Sequence, residues 1–395
     1  MDINAIQSAL KAAGLDGWLF YDFHNRDAIA ARILGLDYSK MTTRRWYYFI
    51  PTEGTPKKLV HKIEPWRIDA LSGEKYIYLP WQQQHSLLKQ ILGNSKKVAM
   101  QYSPFNAIPY VSIVDGGTIE LVRSFGVDVI SSADLVSIFE SHLSMDDYKS
   151  HCAAGKIIQD AKDISFLEIS KRIKNGENPT EYEIHIFMKN YMLDNGLKFD
   201  DGPIVAINEH AADPHFEPTP ENCLKMKEGD LVLFDQWAKL NKPGSIYYDV
   251  TWMGYIGTTV PEKIENLFHI DCQARDAALN LVRERFSNNV SVHGMEVDDA
   301  CRQVIIDAGY ADAFIHRTGH NIAEEVHGNG THIDNLETKD ERLIIKGSCF
   351  SVEPGIYLPE EKIGFRTEID VFVTDEGNVE VYGPIQEKVI PILNL

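Results

Sequence analysis

The sequence predicts two domains, an α/β N-terminal domain over residues 1–145 and a C-terminal domain of α+β character over residues 146–395. Three observations carry this. The chain has 395 residues, too many for one ordinary hydrophobic core. Short helical and strand patterns alternate through the first 140 or so residues, the mark of a layered α/β unit. After Asp200 the pattern changes to strands and tight turns interrupted by long helices.

In the first domain, residues 6–13, 27–34, 87–92 and 133–140 have helical spacing, and 18–21, 46–50, 58–63 and 97–100 read as strands. No glycine-rich phosphate loop follows any of these strands, and this half offers no catalytic constellation of its own. A long helix is expected over 145–173, stopped by Asn175-Gly176. Thr180 and Glu183 stand at capping-box spacing, so a second helix should start there and run to about residue 195. Two more helices are expected over 261–286 and 297–308. No Pro/Gly/Ser-rich linker marks the boundary near residue 145.

Composition narrows the class. An apolar fraction of 44% and a charged fraction of 25% are those of a globular protein. The 58 acidic residues outnumber the 39 basic ones, for a net charge of −19, which repels a phosphate backbone and argues against nucleic-acid binding. Five scattered cysteines without a CxxC pair argue against a disulfide framework and against a structural zinc site. Met1-Asp2-Ile3-Asn4 lacks the basic and apolar regions of a signal peptide. The longest uncharged stretch, residues 98–114, is broken by Pro104 and Pro109. The expectation is a cytoplasmic protein with no membrane association.

The second domain carries the chemistry. Residues 231–235 and 247–255 read as strands, with Asn241-Lys242-Pro243-Gly244 as the turn between them. Facing residues of an antiparallel pair have numbers with a constant sum. Asp235 and Asp249 are symmetric about position 242, so the hairpin should set the two carboxylates opposite each other. Residues 349–353 and 365–373 read as a second hairpin about Pro359-Glu360-Glu361-Lys362, with Glu353 and Glu368 symmetric about 360.5. A lone acid in a strand usually points to water. Two facing carboxylate pairs flanked by apolar strand residues instead call for a cation between them.

Histidines add to this. Four of the fourteen, His316, His320, His327 and His332, fall within 17 residues. Four carboxylates and an imidazole form a mixed oxygen and nitrogen set, which suits Mn, Co, Fe or Zn better than Ca or Mg. Two such ions can share one hydroxide and polarise a carbonyl.

Asp235, Asp249, Gly319-His320, Glu353-Pro354-Gly355 and Arg366-Thr367-Glu368 together resemble the five-ligand signature of the pita-bread metallopeptidases, the family of prolidase and aminopeptidase P. The resemblance covers about residues 150–395, and the α/β first domain resembles the smaller N-terminal domain of that family. It implies an α+β pita-bread fold of the creatinase/aminopeptidase type. The implied activity is hydrolysis of the bond preceding proline by a metal-bridging hydroxide. The implied cofactors are two divalent metal ions, Mn first, with Co, Zn and Fe as alternatives. Asp235 would hold one metal, Asp249 and Glu368 would bridge both, and His320 and Glu353 would complete the set. His215 and His327 match the substrate-contacting histidines and His316 the position lining the proline pocket. Arg366 matches an arginine of the proline-specific branch, and Glu353 would also carry the proton to the leaving nitrogen. The substrate would be a peptide with proline at its second position, and the family form is a homodimer.

Asn321 stands where the family has Gly after the ligand histidine, and Gly328 where Glu is common after His327. The segment between the two aspartates is three residues longer than usual. His210 and His332 match no family position, and His332 reads as a solvated loop residue. The competing functions are a metal-free creatinase-like hydrolase, a methionine aminopeptidase and a non-catalytic scaffold. The first and third lack an intact ligand set. The N-terminal domain and Arg366 argue against the second.

Overall fold

The computed structural model describes all 395 residues, which form two compact units, Met1–Glu140 and Ser141–Leu395. The first unit holds strands β1 (Gly17–Asp22), β2 (Trp46–Pro51), β3 (Lys57–His61), β4 (Glu74–Tyr78), β5 (Lys97–Met100) and β6 (Asp128–Ser131). They form one mixed sheet in the order β4-β3-β2-β1-β5-β6. Its helices are α1 (Ile3–Ala12), α2 (Ala28–Leu34), α3 (Trp81–Leu92), α4 (Gly116–Ser124) and α5 (Ala133–Glu140). Strand β1 is buried along its whole length. Trp18 and Phe20 join one core with residues of α1, α2 and α5, while Leu19 and Tyr21 join another with α3 and α4. A central strand covered on both faces needs no polar alternation, which is why 18–21 reads as a continuous apolar run.

Several expectations are corrected here. Helix α3 starts six residues before the expected 87, because its first turns are polar glutamines rather than an apolar stripe. Strand β4 was not expected: its first two residues are exposed at the sheet edge, so it lacks a burial pattern. Helix α4 and strand β6 were not expected either. Asp115 caps α4 by accepting from the Thr118 N–H.

The second unit opens with α6 (Met145–Lys174) and α7 (Glu181–Asp194), each begun by a reciprocal capping box, Ser144 with Asp147 and Thr180 with Glu183. Strands β7 (Leu197–Lys198), β8 (Ile204–Ile207), β9 (Leu231–Leu240) and β10 (Tyr248–Tyr255) follow, then α8 (Glu262–Ser287) and α9 (Gly294–Asp307). The last segment supplies β11 (Cys349–Val352), β12 (Gly355–Leu358), β13 (Ile363–Arg366), β14 (Ile369–Val373), β15 (Val379–Val381) and β16 (Ile390–Pro391). Helices α6 and α7 pack on β8, β9 and β10 through Ala154, Ile158, Phe166, Ile184 and Met188 against Val205, Phe234 and Val250. Helices α8 and α9 pack on β11, β12 and β14. No helix is long and apolar enough to cross a membrane.

Both expected hairpins form. The second keeps its expected register: Gly355 faces Arg366 and Cys349 faces Phe372, the same constant sum. The continuous strand expected over 365–373 is however two strands. The ladder opens at Glu353-Pro354 on one side and Thr367-Glu368 on the other. Proline has no N–H to give a ladder, so the gap falls where the two glutamates are.

The first hairpin departs from expectation. Asp249 faces Trp237, and Asp235 faces Thr251. The aspartates are therefore diagonal rather than opposite. A shift of two residues keeps both on one face, whereas a slip of one would have parted them.

Candidate metal centre

Ligand-capable atoms of Asp249, His320 and Glu368 lie within 4.8 Å of one another, and all three residues are buried. Strand β10 brings Asp249 and the opened ladder brings Glu368. His320 is set by a close approach of two backbones: a Cβ on Gly319 would meet the Ser351 carbonyl oxygen at 1.9 Å. Only glycine permits that contact. The His320 N–H then donates to Ser351 Oγ at 3.0 Å. His320 Nε2 lies 3.6 Å from Asp249 Oδ2 and 3.4 Å from Glu353 Oε1. Glu353 Oε1 accepts from Ser351 Oγ at 3.1 Å.

Arg366 is buried, and its guanidinium is engaged within the centre. It donates to Asp235 Oδ2, to Thr251 Oγ1 at 3.0 Å and to the Tyr357 hydroxyl at 3.2 Å. Thr251 in turn donates to Glu368 Oε2 at 2.7 Å. The Tyr357 hydroxyl is 2.8 Å from His316 Nε2, while His316 Nδ1 lies 2.7 Å from the Arg317 carbonyl. Arg366 thus touches the carboxylates of the centre itself. His327 stands at the solvent side, edge-on to His320 with ring centroids 4.3 Å apart. His215 is exposed on the loop after Asp213.

Electrostatics point the same way. Burial first, and then the neighbouring Asp235, Asp370 and Glu353, hold the Asp249 carboxyl well above the usual carboxylate range. Glu368 is raised likewise by burial and by Asp249. Burial pushes Glu353 up to about 7 against the pull of Arg366. Asp235 is also raised by burial, less than it would be without Arg366. Burial holds the His320 imidazole well below its usual range. Asp249 Oδ1 and Glu368 Oε1 are buried with no hydrogen-bond donor. Buried carboxylate oxygens without a donor are costly. With a neutral imidazole beside them, they have the chemistry that suits a divalent cation.

Two histidines behave differently from expectation or lie outside it. His332 is fully buried, not solvated: its Nδ1 accepts from the Asn321 N–H at 3.1 Å. His210 pairs with Glu181 at 2.8 Å and stacks on Phe216, so it belongs to the support of α7. Thr251, Tyr357, Asp370 and His151 were not singled out in the sequence. For Thr251 and Asp370 a signal existed, since each stands two residues after an expected ligand and so shares its strand face. Nothing in the sequence marks Tyr357 or His151.

A buried carboxylate and imidazole cluster on paired hairpins is a group that could hold a metal ion. The chain belongs to metallopeptidase family M24, whose profile matches residues 153–375. An uncharacterised peptidase of Staphylococcus saprophyticus is 29% identical over 273 residues, 67% of this chain and 69% of that protein. An Xaa-Pro dipeptidase of Lactobacillus helveticus is 30% identical over 174 residues, 44% of this chain and 42% of that protein. Among solved structures, dipeptidase PepE of Mycobacterium ulcerans superposes with a TM-score of 0.68 at 22% identity, covering 98% of this chain and 96% of that one. A prolidase of Pyrococcus horikoshii OT3 superposes with a TM-score of 0.62 at 20% identity, covering 98% and 99%. The fold is that of the pita-bread enzymes, with an N-terminal α/β domain.

Proposed function

We propose that this chain is a proline-specific exopeptidase, cutting the bond before a proline at the second position of a peptide. Asp235, Asp249, His320, Glu353 and Glu368 would hold two divalent ions, Mn first. The observation that carries the ligand assignment is the convergence of Asp249, His320 and Glu368 within 4.8 Å, with carboxylate oxygens left without donors. The choice of substrate rests on the Xaa-Pro dipeptidase among the relatives and on Arg366 in the ligand cluster. Bound divalent ions would supply an acidified water and a polarised carbonyl. The protein supplies the rest. Glu353 is suited to take and return a proton, because its carboxyl exchanges one near neutrality in the metal-free protein. His215 and His327, both open to solvent, would contact the substrate carbonyl and backbone. His316, fixed by Tyr357 and the Arg317 carbonyl, would form a rigid wall for the proline ring. Arg366 would hold Asp235 and Thr251 in place. A cytoplasmic homodimer belongs to the same proposal.

The test is hydrolysis of an Xaa-Pro dipeptide and of a longer Xaa-Pro-Xaa peptide by chelator-stripped protein with Mn added back. Metal-dependent cleavage of the dipeptide alone makes it a prolidase, and cleavage of the longer peptide makes it an aminopeptidase. Cleavage of neither, with metal shown to be bound, would falsify the proline specificity.

A further inference from the structure

Strand β10 has two edges, and Asp249 lies where the outer one is bare. Strand β9 pairs along the inner edge, but β16 joins the outer edge only at Gly254 and Tyr255. A bare edge inside a protein leaves backbone donors and acceptors without partners. Three side chains and one loop carbonyl take the place of the missing strand. At Met253 the Gln386 carboxamide accepts from the N–H at 2.8 Å and donates to the C=O at 2.7 Å. At Tyr247 the N–H donates to the Ala323 carbonyl at 3.1 Å, and the C=O lies 2.6 Å from His151 Nδ1. At Asp249 the N–H donates to Asp370 Oδ2 at 2.7 Å.

The Asp249 bond joins two ligand-bearing segments. Asp370 is on β14, two residues after Glu368, and its carboxylate reaches across to the backbone of Asp249. Asp370 and His151 are both fully enclosed, at 2% and 0% exposure. A carbonyl only accepts, so His151 Nδ1 carries the hydrogen and its tautomer is set. His151 Nε2 then faces Asp370 Oδ2 at 3.8 Å. Tyr148 stacks on His151 on one side and on Phe372 of β14 on the other.

We propose that Asp370, with His151 holding the Tyr247 carbonyl two residues before Asp249, is a positioning residue that fixes the backbone of Asp249 relative to Glu368. This rests on the assignment of those two as metal ligands. Neither Asp370 nor His151 needs to touch substrate or metal. Their effect is on the spacing of the two carboxylates, and so on affinity for the ions.

The experiment titrates chelator-stripped wild type, Asp370→Ala, Asp370→Asn and His151→Phe with Mn²⁺ alone. It also records the visible spectrum of each protein loaded with Co²⁺. Asp370→Ala should weaken Mn²⁺ binding about 10–100-fold, the usual effect of losing a group that orients a ligand, and change the Co²⁺ spectrum. It should lower kcat more than it raises KM. Asp370→Asn keeps an acceptor oxygen and offers His151 Nε2 a donor, and should recover most of the affinity. A wild type that binds no Mn²⁺ or Co²⁺ overturns the metal assignment, and this proposal with it. A wild type that binds, with Asp370→Ala matching it in affinity and spectrum, overturns the positioning role alone. So does equal impairment of Ala and Asn variants, which would make charge rather than placement decisive. Should Asp370→Ala fail to fold by circular dichroism, His151→Phe decides: unchanged affinity and spectrum overturn the proposal, and a loss of both supports it.

Discussion

Asn321 follows His320 and is buried, at 1% exposure. Its Oδ1 accepts from the Gly330 N–H at 3.0 Å, and its Nδ2 donates to the Cys349 carbonyl at 3.0 Å. A Cβ on Gly328 would meet that same Oδ1 at 2.2 Å. The two departures from the family pattern, Asn for Gly at 321 and Gly for Glu at 328, are therefore one exchange: the carboxamide occupies the space a side chain at 328 would need. Gly328→Ala should cost about 1–3 kcal/mol by overpacking. In an Asn321→Gly background the same change should cost much less, a coupling of about 0.5–3 kcal/mol. Urea midpoints of the four proteins measure it, and additive effects would refute the exchange. At Asp249 the expected effects split. Asp249→Ala removes a carboxyl that burial and its neighbours make costly to ionise, so the metal-free protein should melt no lower than wild type. Activity should fall more than about 100-fold, since even partners of ligands cost 10–100-fold. Added Mn²⁺ should no longer raise the melting temperature.

At the scale of elements, the two hairpins show what a turn in the sequence can specify. Pro359-Glu360-Glu361 forms a single 3₁₀ turn closed by Lys362 in the left-handed region, at φ 57°. A short turn pins the register, so the pairing of the flanking strands follows from arithmetic on residue numbers. Asn241 to Gly244 marks a turn but not its length. Residues 241–247 all lie between β9 and β10, and Tyr247 N–H is drawn to Ala323 in another part of the chain. The register is therefore decided by tertiary contacts, and the pairing moves by two residues. The same distinction covers the centre. Asp235 and Asp249 were legible because they sit on strands with apolar neighbours, and Glu353 and Glu368 because apolar strands flank the gap that holds them. The hydroxyls that hold them were not, because a Thr or Tyr in a strand has ordinary packing reasons to be there. Thr251 donates to Glu368 and accepts from Arg366. Thr251→Val keeps the shape and removes both bonds, leaving buried charged groups short of a partner at about 1–3 kcal/mol. Thr251→Ser should restore both stability and metal affinity. Equal behaviour of Val and Ser in thermal melts would show that the methyl, not the hydroxyl, matters.

Charge is distributed unevenly over the whole molecule. Residues 1–140 carry 15 Lys and Arg against 14 Asp and Glu, whereas residues 141–395 carry 24 against 44. The second unit thus carries −20 and the first +1 of the net charge of −19, and the second unit also holds most of the buried acids. Self-repulsion of that size opposes compactness and is relieved by protons or by cations. The direction of the pH effect follows from the raised carboxyls. A group whose folded-state pKa lies above its unfolded value contributes stability that is complete below the unfolded value and is lost as pH rises through the folded one. For Glu353 that window runs from its ordinary 4.5 to about 7, and Asp235, Asp249 and Glu368 lose stability in the same direction. The buried histidines act from the other side. His151 and His316 are depressed to about 4 and about 3, so their contribution holds above 6.5 and is lost as pH falls. A divalent ion needs the carboxylates ionised, so its binding cancels the first loss and expels protons. The rise in melting temperature produced by saturating Mn²⁺ should therefore grow steadily between pH 5.5 and pH 8. Calorimetric titration at pH 6.5 in two buffers of different ionisation enthalpy should show net proton release. A metal-induced shift that is flat or shrinks with pH, or binding without proton release, would mean that these carboxyls are not where the ions sit.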